Sequence, residues 1–237
     1  MGELVVLLAH GSPDPRSSEA AAAIAADFER HLQGPMVRIA YLQHNWPTLT
    51  AAIGRELDSG TITKVRVLPL ILTEATHAIR DIPDAIARAE RDHRMTLEVG
   101  KTIGMDPSLG LALESLIPAG VPVVLAWAGG RTPAALASTQ ALAETWAAQS
   151  GREVVLAIVS ESGDAIVAGV QDLQQRTGLA PVVATFTLFP GVLTDQISAA
   201  ATRAGTSATT PLCQLPKLID ILDQRLHISS IDRVQTA

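Results

Sequence analysis

The sequence predicts an α/β protein with two similar domains, each a small parallel sheet flanked by helices. Short apolar runs rich in β-branched residues alternate with Ala-rich stretches of helical periodicity along the 237 residues. The runs are apolar at nearly every position, which is typical of parallel strands buried on both faces. The whole pattern also restarts near the middle of the chain. Together these features indicate a doubly covered parallel sheet that occurs twice.

The elements follow one another in strand–helix order. Each strand is predicted from a short apolar run, and each helix from a longer run that begins near Pro, Ser, Thr or Asp. In the first half the predicted strands are 5–9, 37–42, 65–71 and 96–99, and the predicted helices are 16–32, 48–57, 78–91 and 107–116. In the second half the predicted strands are 123–127, 154–159 and 182–186, and the predicted helices are 133–149, 164–176, 193–203 and about 215–226.

The restart indicates an internal repeat. The segment "VVLLAHGS" aligns with "VVLAWAGG", and "LPLILTEATHAIRDI" aligns with "ATFTLFPGVLTDQI" with one residue fewer. The turn-forming segment "IPAGVP" separates the halves. We therefore predict an N-terminal domain at 1–118 and a degenerate C-terminal repeat at 119–237. His10 aligns with Ala128, and His77 aligns with Leu193 or with the gap, so the first domain is expected to supply the reactive groups.

Composition excludes several classes of protein. The formal net charge of −6 argues against a general nucleic-acid or anionic-membrane surface. The single cysteine, Cys213, excludes an internal disulfide and any multi-cysteine metal site. We see no apolar segment of membrane-spanning length and no signal sequence, and we expect a cytoplasmic protein.

Two histidines stand out because each follows a predicted strand. His10 comes directly after the first strand and His77 follows the third. In a doubly wound sheet these strands are neighbours, and ligands bind at the carboxyl ends of strands. Two imidazoles at one crevice suit a divalent transition metal or general-base chemistry. The alternative is that each histidine only caps local backbone. His44, after the second strand, is a candidate for the rim of the same crevice.

The remaining polar groups are less specific. His31, His93 and His227 lie among charged neighbours and are interpreted as surface residues. Glu74 lies in an otherwise apolar loop three residues before His77, which makes it a candidate carboxylate for the site. Asp81 follows His77 by four residues, and we favour a role for it at the positive end of a helix.

The turn after the first strand offers a weaker signal. Backbone N–H groups of Gly11 and Ser12 could hold a carboxylate or a phosphate at the start of the following helix. The segment "GSPDPR" lacks the glycine spacing of a dinucleotide-binding loop, and the chain contains no P-loop motif. Ser12 is therefore interpreted as a cap or a ligand contact.

These motifs together resemble a known family. "LLAHGSPDPR" at the end of the first strand and "LPLILTEATHAIRDIPDAI" at the end of the third are similar to the class II tetrapyrrole chelatases, the sirohydrochlorin cobaltochelatase and ferrochelatase family. The two-domain layout resembles the long members of that family. The motifs lie in the first 85 residues, whereas the layout covers nearly the whole chain.

The resemblance implies two facing domains with a cleft between them that binds a tetrapyrrole. It implies ATP-independent insertion of Co²⁺ or Fe²⁺, as substrate, in cobalamin or siroheme biosynthesis, with no organic cofactor. By motif match, His10 and His77 hold the incoming metal and accept protons from the pyrrole nitrogens. The oligomeric state is left open.

The sequence also departs from the family pattern. Gln43, in "YLQHNWP", stands where family members often carry an acid, and Pro13 stands where arginine is common. Glu74 or, with less support, His44 is therefore expected to replace the missing carboxylate. Further substrate contacts are predicted for a set of residues at the strand ends and adjoining helices: Gly11, Ser12, Arg16, Gln43, His44 and Arg80. The flat faces of Trp46 and Trp127 are two more candidates, with core packing as their alternative.

Two other functions remain open. The neutral Gln43 is compatible with a non-catalytic tetrapyrrole or metal carrier that uses the same cleft. A two-domain binding protein for a small anionic metabolite, in which the histidines are incidental, is the third possibility.

Overall fold

The computed structural model of the chain describes residues 2–72, 76–129, 132–159 and 161–228, and for residues 76–79 it describes the backbone alone. Within these residues, the strands are β1 (Gly2–Ala9), β2 (Met36–Tyr41), β3 (Ile62–Pro69), β4 (Glu98–Val99), β5 (Val123–Trp127), β6 (Val154–Ile158) and β7 (Val182–Phe186). The helices are α1 (Pro15–Leu32), α2 (Leu49–Leu57), α3 (Thr76–His93), α4 (Pro107–Leu113), α5 (Pro133–Ser150), α6 (Asp164–Thr177), α7 (Val192–Arg203) and α8 (Lys217–His227). The predicted α/β class and element order are confirmed.

The chain forms two compact units. The first unit contains Met1–Gly104 and Ile219–Ala237, and the second contains Met105–Leu218. These units differ from the predicted domains, which were drawn from the repeated sequence pattern, so the boundary at 118/119 stays a prediction. Within the part of the chain that the structure describes, no helix has the length and apolar character needed to cross a bilayer.

The first unit contains a four-stranded parallel sheet in the order β2-β1-β3-β4. The central strand β1 is buried over residues 4–9, which are at most 2% exposed. This burial explains why its sequence is a continuous apolar run rather than an alternating one. The neighbouring positions of β1 and β3 confirm the strand adjacency that the site prediction requires.

The faces of β1 contact different helices. Leu4, Val6 and Leu8 share one core cluster with residues of α2 and α3. Right-handed crossovers place α2 and α3 on the same face, because the chain moves in the same direction along the sheet from β2 to β3 and from β3 to β4. The step from β1 to β2 runs the opposite way, so α1 covers the other face. The sheet is therefore covered on both sides.

The second unit repeats this arrangement with three strands. Its parallel sheet has the order β6-β5-β7, so β5 takes the central place that β1 takes in the first unit. Val124 and Ala126 of β5 pack with α6 and α7. In the alignment of the repeats these residues match Val6 and Leu8, which face the equivalent helices α2 and α3. The repeated sequence pattern thus corresponds to a repeated packing pattern.

A buried arginine holds the turn segment before β5. The side chain of Arg152 is 5% exposed and pairs with Glu114 through a 2.6 Å contact. It also donates to the carbonyl oxygens of Pro118 and Val121, each at 2.7 Å. The indole N–H of Trp146 donates to the same carboxylate of Glu114. The network thus connects the end of α5 to the segment 117–122, which separates the two halves of the sequence repeat.

We expect Arg152→Ala to lower the free energy of unfolding of the second unit by about 3 kcal/mol, because it removes the cation that pairs with the partly buried Glu114 and the donor to two backbone carbonyl oxygens. Arg176→Ala is the control, since Arg176 is 46% exposed and pairs with Asp172 on the surface. It should cost less than about 1 kcal/mol. Urea unfolding monitored by tryptophan fluorescence measures both, because Trp127 and Trp146 are buried in this unit. Equal losses in the two variants would contradict the structural role of Arg152.

Candidate active site

The candidate site lies at the carboxyl ends of the strands in the first sheet. His10 follows β1 directly and is exposed, although the strand before it is buried. The pairing of β1 with β2 continues past both strands, because the Leu42 N–H donates to the Ala9 carbonyl at 3.0 Å and the Gln43 N–H donates to the His10 carbonyl at 2.9 Å. A rigid, fully buried strand therefore places an exposed imidazole next to the loop that follows β2.

Gly11 allows the two loops to approach this closely. Its φ is +95°, in the left-handed region that favours glycine. A Cβ atom added there would lie 1.9 Å from the carbonyl oxygen of Gln43. Any other residue would both strain the backbone and clash with the neighbouring loop. Gly11 is thus required for the geometry of the loop itself, whatever contact it makes with a substrate.

Asn45 ties the two loops together from the other side. Its Oδ1 accepts a 2.7 Å hydrogen bond from the backbone N–H of Ser12. The Ser12 hydroxyl in turn accepts the N–H of Asp14 at 3.1 Å. The backbone N–H of Ser12 is therefore engaged within the protein rather than directed at an anion. Asn45 was not among the residues predicted from the sequence, and its one signal was a polar side chain in the loop after β2.

His44 lies beside His10, as the predicted rim role requires. The centroids of the two rings are 6.4 Å apart, and the rings are inclined by 68°. His44 itself has a φ of +63°, which is uncommon for a residue with a side chain. Both imidazoles are exposed. Two exposed imidazoles therefore lie close together at one edge of the sheet.

Asp81 contacts the loop that follows β2 through the side chain of Gln43. The Gln43 side-chain amide donates to Oδ2 of Asp81 at 3.3 Å. We predicted that Asp81 favours the positive end of a helix that begins at residue 78. The structure begins α3 at Thr76, so Asp81 is its sixth residue and lies beyond the first turn. The helix dipole falls off within that turn, and the preference for a helix-end role was therefore wrong.

Arg16 and Asp14 form a local pair at the start of α1. Asp14 caps the helix by accepting the N–H of Arg16 at 3.0 Å, which confirms the predicted helix start. The Arg16 guanidinium contacts the same carboxylate at 2.6 Å. Hydrogen bonding from Arg16 is the main reason why the pKa of Asp14 lies below its usual range. Arg16 must therefore share or exchange this partner to bind a substrate carboxylate. Arg80, the other predicted arginine, is exposed on α3.

Two predicted site residues, His77 and Glu74, lie partly or wholly outside the part of the chain that the structure describes. His77 is the second residue of α3, but its side chain is not among the described ones, and Glu74 lies outside the described residues altogether. Their predicted roles stay predictions. Among the side chains that are described, no group of three or more His, Cys, Asp or Glu is arranged to hold a metal ion.

The two candidate tryptophans and the other histidines lie in different environments. Trp127 is 1% exposed, so the suggestion that its ring faces a ligand was wrong: the ring is part of the core. Trp46 is 63% exposed and has the Arg55 guanidinium 6.0 Å from its ring centroid. His31 contacts Asp223 at 3.4 Å on the surface. His93 has a structural contact, since its Nε2 lies 2.9 Å from the carbonyl oxygen of Thr50 and links α3 to α2.

Comparisons with known proteins agree with this architecture. SirB from Bacillus subtilis with Fe³⁺ has a TM-score of 0.79 and 21% sequence identity, and the match covers 95% of this chain and 94% of that one. At that identity the likeness shows the fold alone. The protein is thus a two-unit α/β protein with the chelatase fold.

Sequence comparisons define the family. The sequence model of the CbiX family matches residues 4–118. The sirohydrochlorin cobaltochelatase of Methanosarcina barkeri is 32% identical over 115 residues, covering 48% of this chain and 86% of that protein. The sirohydrochlorin ferrochelatase of Bacillus subtilis is 26% identical over 205 residues, covering 83% of this chain and 78% of that protein. The chain belongs to the CbiX family.

We expect Gly11→Ala to destabilise the first unit more than Gly60→Ala does. Both glycines have positive φ, so both variants carry the backbone cost of about 1 kcal/mol, but only Gly11 faces a backbone oxygen, whereas Gly60 has nothing within 4 Å. The clash should add about 1–3 kcal/mol and disturb the loop. Thermal unfolding of the two variants measures the difference. Equal shifts in melting temperature would show that the loops separate without cost.

Proposed function

We propose that this protein is a sirohydrochlorin chelatase, which inserts Co²⁺ or Fe²⁺ into the tetrapyrrole without ATP. The observation that carries the proposal is His10: an exposed imidazole at the carboxyl end of a fully buried central strand, in a chain that belongs to the CbiX family. The named relatives that support it are a cobaltochelatase and a ferrochelatase of sirohydrochlorin. Both metals are substrates here, and no organic cofactor is part of the proposal.

Metal insertion requires a group that binds the metal and a group that accepts protons, and an imidazole can do both. Two pyrrole N–H protons must leave as the metal–nitrogen bonds form, and the metal must be held until they do. A neutral imidazole binds divalent transition metals and also accepts protons near neutral pH. We assign metal binding to His10 and His77, which also help to accept the displaced protons. The assignment of His10 is supported by its exposed side chain and by its position directly after the buried strand β1.

The loops around His10 are assigned to the substrate. His44 adds a second imidazole 6.4 Å from that of His10, measured between ring centroids. Arg80 is an exposed cation on α3 and suits a substrate carboxylate, and Arg16 can serve in the same way if it shares Asp14. The other proposed contacts are the turn and loop residues Gly11, Ser12 and Gln43.

A carrier function is the alternative that one observation favours. Gln43 is a neutral amide, and its side chain already donates to Asp81. An amide is a poor base, so a site that depends on it would bind metal or tetrapyrrole without turning over. The predicted cytoplasmic location and a place in cobalamin or siroheme synthesis apply to either function.

The chelatase proposal predicts multiple turnovers. With sirohydrochlorin and Co²⁺ or Fe²⁺ each in large excess over protein, the absorption change should continue far beyond one equivalent, whereas a carrier stops at one. His10→Ala should lower kcat by at least about 100-fold, because it removes both the metal-binding and the proton-accepting group. His31→Ala, on the surface of α1, is the matched control and should retain activity. A wild-type reaction that ends at one equivalent would refute the chelatase and leave the carrier.

Glu74 provides a separate test of the predicted carboxylate. If Glu74 accepts a proton during insertion, Glu74→Gln should lower kcat by about tenfold or more with little change in KM, because the amide keeps the size but loses the basicity. The measurement is initial rate against sirohydrochlorin concentration at saturating metal. Turnover equal to that of the wild type would exclude Glu74 from the reaction.

A further inference from the structure

The hydrogen bond between Gln43 and Asp81 connects two segments that are far apart in the sequence. Gln43 follows β2, whereas Asp81 lies on α3, which follows β3. In the sheet, β1 separates β2 from β3. Adjacent strands are about 4.8 Å apart, so these two strands are about 10 Å apart. The hydrogen bond therefore spans the carboxyl end of β1, which is the place where His10 lies.

The carboxylate of Asp81 is thus held at the same edge of the sheet as the imidazole. Asp81 is partly buried and Gln43 is exposed. The donor in their 3.3 Å hydrogen bond is an uncharged amide. This contact orients the carboxylate without adding a positive charge to it, because the donor is neutral. An oriented carboxylate of this kind is suited to attract a divalent cation and to accept a proton.

The carboxylate of Asp14, which precedes α1, has different surroundings. Its oxygens accept the backbone N–H of Arg16 at 3.0 Å and contact the Arg16 guanidinium at 2.6 Å. These contacts lower the pKa of Asp14, with the side-chain hydrogen bond from Arg16 as the largest cause. A carboxylate stabilised in its charged form by a cation is a weak base. Of these two carboxylates, Asp14 is paired with a cation, whereas the described partner of Asp81 is the neutral amide of Gln43.

Helix geometry gives Asp81 a second connection to the site. Positions 77 and 81 are four residues apart on α3, so they lie one turn apart along the same side of the helix. His77 is one of the two histidines assigned to the metal. Three elements therefore form the candidate site: the loop after β1, the loop after β2 and one side of α3. The hydrogen bond from Gln43 to Asp81 connects the loop after β2 to α3.

We propose that Asp81 is a catalytic carboxylate of this site, held in place by Gln43, and that it accepts one of the two protons displaced by the metal. This inference rests on the proposed chelatase function. As the metal–nitrogen bonds form, each N–H bond breaks and its electron pair stays on nitrogen. One proton converts the Asp81 carboxylate to the acid and then passes to water, and the other goes to the His10 imidazole once the metal has left it. The metal stays divalent, so no oxidant or reductant is needed.

The test exchanges the amide and the carboxylate within the pair. Asp81→Asn keeps the size of the side chain and an acceptor for Gln43 but removes the charge. It should lower kcat at least about tenfold and leave KM for sirohydrochlorin within about threefold. The Gln43→Glu/Asp81→Asn double variant restores one carboxylate and one amide in exchanged positions. It should recover most of the lost kcat.

Asp84→Asn is the matched control, because Asp84 is an exposed aspartate on the same helix. Its kcat should stay within about twofold of the wild type, and all variants should share the wild-type melting temperature to within about 2 °C. Loss of kcat in Asp81→Asn with recovery in the double variant supports the proposal. Activity of Asp81→Asn equal to that of Asp84→Asn, or no recovery in the double variant, overturns it while the chelatase function stands. A wild-type protein without turnover overturns both.

Discussion

The parallel pairing of β1 with β2 on one side and β3 on the other determines where every candidate site residue lies. β1 is buried along residues 4–9, and its backbone bonds are shared with both neighbours. All three strands point the same way, so their carboxyl ends meet at one edge, and that edge receives the loops that follow them. An imidazole placed after β1 is therefore central, because β2 and β3 end on its two sides. Burial of this strand stabilises the fold and sets the geometry of the site at the same time.

The loops that follow β1 and β2 are in direct contact at this edge. Gly11 lies against the Gln43 carbonyl where no Cβ would fit, and Asn45 accepts the N–H of Ser12. These contacts engage backbone groups that would otherwise turn to water, and they limit the positions open to the backbone of His10. Side chains of His10, Gln43 and His44 remain exposed. The site thus combines a fixed backbone with exposed reactive groups, which is the arrangement that precise positioning of a substrate requires.

The second unit repeats the fold of the first without a histidine at the end of its central strand. Its strand order and the packing of its inner helices match those of the first unit. At the end of β5, however, the residues aligned with Ala9, His10 and Gly11 are Trp127, Ala128 and Gly129. A Cβ on Gly129 would lie 2.3 Å from the Trp127 ring, so the buried indole lies directly beside this turn. At the end of the central strand of this unit, Trp127, which is buried, and Ala128 stand where the first unit has Ala9 and His10.

The amino-acid sequence by itself determined the class of fold, the order of the elements and the position of His10 after a buried strand. These features depend on hydrophobic periodicity and on turn-forming residues, and both are visible within short segments of the sequence. The family pattern of residues was also visible in the first 85 residues. The tertiary structure alone decided that Gln43 meets Asp81, 38 residues away, and that Asn45 meets Ser12, 33 residues away. It also decided that Trp127 belongs to the core. Such contacts depend on strand order, register and side-chain rotamers, because these bring distant segments together without leaving a periodic signal in either one.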